Sequence, residues 1–330
     1  MIGYYVHHHG SGHLTRARLL AARLGEAVTG IGSLPRPDDW AGAWIQLPHD
    51  ATPVPPAGGD LTAGGVLHWA PTGHSGYTAR MAAISSWVER DRPRLVVVDV
   101  SVEVTLFVRL LGVPVVVVAM RGDRSDRAHT LAYDAAEALI ALWPAALASR
   151  RWPPRWVDKT CHTGGFSRLD DLARDSQPAP VQPGSVLLLW GRGGDGAGPS
   201  LERASAASGP EWSWRRPHPN GDAAALWSEL TRAEVVVSHA GQNAVAEVAA
   251  SRRPAVVVAE MRPFGEQEET AEVIDTSGIA VGLSTWPSDD AWPRLLTQAR
   301  DRGGAHWREW SDLDGVARAA ALLERVGATT

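Results

Sequence analysis

Short runs of Val, Ile and Leu alternate along the chain with longer segments rich in Ala, Leu and Arg. A run apolar on both faces suits a parallel strand covered by helices, and the longer segments space their apolar residues as an amphipathic helix does. The first run, Ile2–Val6, is followed by a Gly-rich turn at His9–Gly12 and an expected helix over Leu14–Leu24. From Gly30 to Thr78 the pattern dissolves into Pro, Gly and Trp, leaving weak strands near Trp44–Leu47 and Val66–Trp69. It resumes with a helix over Ala79–Arg90, a strand over Leu95–Asp99, a helix over Val102–Leu111 and a strand over Val113–Ala119. A helix over Arg127–Ala138 and an apolar stretch at Ala138–Leu142 complete this series.

A second series follows the Pro- and Arg-rich stretch Trp143–Trp156, which is the expected link between domains. Strands are expected at Val186–Leu189, Glu234–Val237, Ala255–Ala259 and Ile279–Gly282. Helices are expected near Leu201, at Ala223–Thr231, Asn243–Ala250 and Glu266–Ile274, then at Trp292–Arg300 and Gly315–Val326. With right-handed crossovers, each series becomes a doubly wound α/β parallel sheet holding ligands at the carboxyl ends of its strands. The expected division is 1–157 and 158–330, with the two rims facing one cleft.

Composition sharpens this picture in three ways. The 330 residues allow two domains with full cores. A formal net charge of −5 supplies no basic field for a nucleic acid, so anions must be met locally. Cys161 is the only cysteine, which excludes an intrachain disulfide and fits a reducing, cytoplasmic setting. The order of a signal peptide and a membrane-length apolar run are both missing from the sequence, so no transmembrane segment is expected. Trp143–Trp156 is either the linker or a peripheral contact with a membrane surface.

The chemistry concentrates in two loops. His9-Gly10-Ser11-Gly12-His13 joins the first strand to its helix, where glycines let the backbone approach a ligand and the helix start offers free N–H groups. His13 is either a capping residue or a general base. Asp99, at a strand end, orients His13, binds the acceptor or caps the next helix. The glycine spacing does not complete a dinucleotide fingerprint, and His7, His9 and His13 lack an HExxH-type ligand spacing, so neither a nicotinamide cofactor nor a metal is expected. In the second half, Ser238-His239-Ala240-Gly241-Gln242-Asn243 leaves a buried strand and opens a helix, with Glu247 one turn on. The amides of Gly241–Asn243, the His239 ring and the Asn243 side chain suit a diphosphate, and Glu247 suits a ribose. Glu266 and Gln267 open another helix on the same rim and suit sugar hydroxyls.

These residues resemble the GT-B nucleotide-sugar glycosyltransferases, especially the family 28 branch that includes MurG, and the donor stretch is similar to the signature of plant secondary-product glucosyltransferases. The resemblance is carried by Gly10–His13 with Arg16, by Thr163–Arg168, by the Gly191–Gly194 loop, and by His239, Gly241, Asn243, Glu247, Pro254 and Glu266-Gln267. It implies a GT-B fold of two Rossmann-like domains, with acceptor binding in 1–157 and donor binding in 158–330. It implies an inverting, metal-independent transfer from a UDP- or dTDP-sugar, the only co-substrate, to a small-molecule or lipid-linked hydroxyl, with His13 as general base or beside the acceptor. On this resemblance His239, Gly241 and Asn243 touch the diphosphate, Glu247 the ribose, and Glu266 with Gln267 the sugar. Arg168 approaches the phosphates, and Gly12, Gly191, Gly193, Ser238 and Gln242 belong to the donor's surroundings. A nucleotide-sugar hydrolase of similar fold and a silent sugar-nucleotide binder are the alternatives. The 15 tryptophans are expected to lie outside the donor constellation.

Overall fold

The computed structural model describes residues 1–8, 12–55, 58–149, 151–191, 199–218 and 221–328. The first sheet is built from seven strands: β1 (Ile2–Val6), β2 (Val28–Gly32), β3 (Trp44–Gln46), β4 (Leu95–Asp99), β5 (Val115–Ala119), β6 (Ala138–Ala141) and β7 (Thr160–His162). Their order is β3-β2-β1-β4-β5-β6-β7, with every neighbour parallel. The central strands are buried along their whole length, which is why β4 and β5 are nearly unbroken Val and β1 pairs apolar Ile and Val with two tyrosines. Five helices connect them: α1 (Gly12–Arg23), α2 (Ser75–Asp91), α3 (Val102–Leu110), α4 (Arg127–Ala135) and α5 (Pro154–Val157).

The second sheet has five parallel strands: β8 (Gln182–Leu189), β9 (Ser213–Arg215), β10 (Ala233–His239), β11 (Ala255–Val258) and β12 (Val281–Leu283). They run in the order β12-β11-β10-β8-β9. Its helices are α6 (Asp170–Asp175), α7 (Leu201–Ala207), α8 (Ala223–Arg232), α9 (Gln242–Ser251), α10 (Glu266–Thr276), α11 (Trp292–Arg302), α12 (Trp307–Trp310) and α13 (Gly315–Ala328). Each sheet reverses direction once, between β1 and β4 in the first and between β8 and β10 in the second. Those switch points open a crevice at the strands' carboxyl ends, where open α/β sheets bind ligands.

Three features differ from expectation. The Trp143–Trp156 stretch is not a linker. Trp143, Trp152 and Trp156 are buried, and Trp152 meets Trp143 and Trp156 edge-on at centroid distances of 5.7 and 5.9 Å. Tyr133 of α4 lies 5.1 Å from the Trp156 ring. Prolines and arginines at the surface masked an aromatic cluster whose rings face the core, so these tryptophans are not available to a membrane surface. The expected boundary at 157 also falls inside the first unit, because β7 is hydrogen-bonded to β6. The chain crosses between sheets over residues 163–181 and returns at the end, where Leu322 and Leu323 of α13 join Ile2, Tyr4 and Leu20 in one core. Finally, Val66–Trp69 forms no strand, whereas β2 is a full member of the first sheet. Two glycines in Val28–Gly32 hid its apolar pattern.

Candidate active site

His13 sits in the first turn of α1, directly after β1, and Asp99 ends β4, so the first switch point brings together residues 86 apart in sequence. His13 Nδ1 lies 2.9 Å from Asp99 Oδ1, and the imidazole is 16% exposed toward the cleft. Asp99 is fully buried. It also accepts from Arg16 Nε at 3.0 Å, from Arg16 Nη2 at 3.1 Å and from the Tyr4 hydroxyl at 3.2 Å. Burial pushes its carboxyl up, but Arg16 and His13 outweigh that and hold it down at about 2. An ionised Asp99 fixes the Nδ1–H tautomer of His13 and leaves Nε2 as the basic nitrogen. Asp99 therefore orients the histidine. The helix-capping alternative falls to Ser101, whose hydroxyl accepts from Val104 N.

At the second switch point, β10 delivers His239 and α9 begins three residues later at Gln242, behind its N-cap Gly241. A Cβ on Gly241 would come within 2.5 Å of the His239 ring, so glycine leaves room for the ring in this position. His239 Nδ1 accepts from Gly241 N at 3.1 Å, and burial lowers the ring's proton affinity. The neutral ring is left with Nε2–H as its donor. Trp190, just beyond β8, stands edge-on to His239 at 5.7 Å and donates to Glu260 at 3.0 Å. This tryptophan lies outside the expected constellation in sequence yet packs against its first ring.

The remaining expected residues divide by position. Asn243 Nδ2 donates to the carbonyl of Gly12 at 3.3 Å, joining the two domains. Gln242 Oε1 accepts from Arg16 Nη1 across the same seam. Arg168 Nε donates to Glu247 Oε1 at 2.8 Å, and burial raises the Glu247 carboxyl against the pull of Arg168. Gln267 is buried and accepts from Glu260 N at 3.0 Å. Glu266 is raised by burial, opposed by Arg124, Arg16, His13 and Arg262, which places it across the cleft from the His13 pair. Ser238 faces away: it is buried, with its hydroxyl donating to the His239 carbonyl. Gly191 lies two residues beyond β8, while Gly193, Gly10 and Ser11 fall outside the described residues. Between α1, residues 166–168 and α9 the domains close to leave about 10 Å³, room for one water.

Sequence reasoning assigned no role to several residues at this seam. Arg16 was visible one turn after His13 on the same helix face. Phe264 had no signal at all, because its place depends on contacts between domains. It adopts a left-handed conformation, with φ 67° and ψ 13°, and its carbonyl accepts from Asp123 N at 2.7 Å. A Cβ on Gly122 would lie 2.2 Å from that carbonyl oxygen, so this close approach requires glycine. The Phe264 ring covers His129 at 4.7 Å and Arg124 at 4.9 Å. Beside this seam, Gly122, Leu147, Arg151, Glu268, Glu272 and Val273 are among the residues lining a wider cleft of about 720 Å³.

Two groups among the described residues bring together atoms of metal-ligand type: His68, Asp126 and His129, and His8, His49 and Asp50. Arg124 Nη1 donates to His129 Nε2 at 3.3 Å while His129 Nδ1 is bonded to Asp126. A metal on Nδ1 needs a proton on Nε2, where the guanidinium already sits. Burial pushes His129 down to about 4, so it is a neutral bridge between Asp126 and Arg124. In the other group Arg80 lies 3.5 Å from Asp50 and holds the position a cation would compete for.

Residues 224–286 match the glycosyltransferase family 28 C-terminal domain. No curated protein matches the chain. Among solved structures, the chain is similar to CalG4, the calicheamicin glycosyltransferase, at 17% identity and a TM-score of 0.66, covering 98% of both chains. It is similar to the spinosyn rhamnosyltransferase SpnG at 16% identity and a TM-score of 0.66, covering 99% of this chain and 100% of that one. For MurG of Acinetobacter baumannii the identity is 14% and the TM-score 0.63, over 98% of this chain and 99% of that one. The two-sheet architecture is thus the GT-B fold.

Proposed function

From a glycosyltransferase family 28 C-terminal domain seated in a GT-B fold, we propose that this chain transfers a sugar from a nucleoside diphosphate donor to a hydroxyl acceptor, with inversion and without a metal ion. The observation that carries this reading is the His13–Asp99 pair at one switch point, facing the start of α9 at the other. The transfer passes through an oxocarbenium-like state: the acceptor oxygen attacks the anomeric carbon as the diphosphate departs from the opposite face. His13 Nε2 takes the acceptor proton, a contribution of about 10² to 10⁴ in rate. Charge growing on the diphosphate is met by the amides that open α9, by the His239 Nε2–H and by Asn243, with Arg168 nearby. Glu247 accepts ribose hydroxyls, and Glu266 with Gln267 bounds the sugar.

Metal independence is supported by what the acidic residues already do. Asp312, half of the only Asp-x-Asp, is paired with Arg318 at 2.6 Å beside α13, away from the cleft. Activity in EDTA is expected to equal activity without it. Loss that Mg²⁺ or Mn²⁺ restores would place a metal in the reaction.

The donor itself is identified by a thermal-shift panel of nucleotide sugars, since a ligand bound only by the native state raises the melting temperature. A shift with a UDP- or dTDP-sugar is the expected result, and none with any member overturns the reading. Donor consumption at full rate without an acceptor would instead assign the same site to hydrolysis. Among the described residues no helix is long and apolar enough to cross a membrane. The acceptor is proposed to reach His13 from the first domain.

A further inference from the structure

The least explained group at the seam is the Arg16 guanidinium. It is buried and binds Asp99 through two nitrogens, Nε at 3.0 Å and Nη2 at 3.1 Å. Its third nitrogen, Nη1, reaches Gln242, the first residue of the helix in the other domain. Nη2 also lies 3.0 Å from His13 Nδ1, because both donors converge on Asp99 Oδ1. A planar fork of permanent charge can grip a carboxylate bidentately and an amide oxygen at once; a lysine ammonium cannot.

We propose that Arg16 is a positioning residue that sets the strength of His13 as a base through the carboxylate they share, and that its bond to Gln242 ties this setting to the donor helix. The argument rests on competition. One Asp99 carboxylate serves both Arg16 and His13, so the more of its charge Arg16 neutralises, the less remains to stabilise a protonated His13. Arg16 also opposes that proton directly. Its Nη1 meanwhile points at the start of α9, where N–H groups and the helix dipole favour an anion. Resting on the donor reading, a diphosphate there draws the guanidinium away from Asp99 and strengthens the base only when the donor is in place. Arg16–Gln242 and Asn243–Gly12 are the side-chain contacts that hold α1 against the start of α9, so a diphosphate bound there competes with the first of them for the guanidinium. Charged and titratable groups from other elements also face His13: His7 after β1 with rings 5.6 Å apart, Tyr4 through Asp99, and Glu266 of α10, itself countered by Arg124 and Arg262. None of these bridges Asp99 to α9.

The test is an NMR titration of the His13 imidazole in the full chain, assigned by its loss in His13→Gln. In Arg16→Met the midpoint is expected to rise by about one pH unit, tenfold in proton affinity. In Arg16→Lys, which keeps a charge without the fork, the rise should be less than half of that. UDP is expected to raise the wild-type midpoint and to have a much smaller effect in Arg16→Met. An unmoved midpoint in a folded Arg16→Met variant overturns the proposal, as does a UDP effect of full size in that variant, which would be the direct field of the phosphates. If Arg16→Met does not fold, an Arg16→Lys midpoint equal to wild type, with the same UDP response, overturns it. Failure of UDP to bind counts against the donor reading, while the titration without UDP still decides the role of Arg16.

Discussion

Replacing His13 by alanine is expected to lower turnover by about 10² to 10⁴ while leaving donor-induced thermal stabilisation intact. The separation of the two effects follows from geometry. The imidazole is fixed through Nδ1 by Asp99, presents Nε2 to the cleft, and belongs to the domain opposite α9, the helix proposed to hold the diphosphate. The loss should fall on kcat, because removing the base removes an interaction made as the acceptor proton moves, whereas the donor contacts proposed for Asn243, Glu247 and Gln267 do not involve His13. Steady-state kinetics with saturating donor, beside a melting curve with and without donor, make the comparison. Turnover retained in a folded His13→Ala protein would take the base role from His13.

Removal of the Asp99 carboxylate should produce the largest loss of stability of any single change at the site. Asp99→Ala leaves Arg16 buried without its ionic partner, an arrangement that costs about 3 to 5 kcal/mol. Asp99→Asn should cost less, because an amide still offers an oxygen to the fork, yet it should reduce turnover because the His13 ring loses the charge that fixes its tautomer. The pH dependence provides a separate check. With the folded carboxyl at about 2 and an unfolded value near 3.9, the ion pair's contribution is fully present above about pH 4. It is lost as pH falls through the folded value, and over that window it amounts to about 2 to 3 kcal/mol. Urea denaturation of wild type and Asp99→Asn at pH 7 and pH 3 should show the gap between them shrinking at the lower pH. A gap unchanged between the two would mean that Asp99 is not ionised in the fold.

The two loops that carry the chemistry were legible because each follows a strand whose buried valines announce it. Ile2–Val6 leads to His13, and Glu234–Val237 leads to His239, so strand periodicity alone located both rims. Asp99 was legible as a strand end but not as the partner of His13, since no local pattern encodes a contact across 86 residues. Trp143–Trp156 misled for the opposite reason. Its prolines and arginines are local surface chemistry, while its three indoles close a core formed by Tyr133 and one another.

The α/β class, the two series of strands and helices, and the residue types gathered at each strand end follow from spacing within single segments, so they can be read along the chain. How the chain divides between the two sheets depends on contacts between distant segments. Strand β7 joins the first sheet beyond the expected boundary and α13 returns to cover it, since a sheet edge and an apolar helix face are each buried by whichever neighbour reaches them. The meeting of Arg16, Asp99 and His13 with Gln242, and the seating of Phe264 over His129, were likewise settled in three dimensions. Each of those side chains takes its role from a partner in another element, and burial at the seam gives their charges effects that the same residues would not have in water.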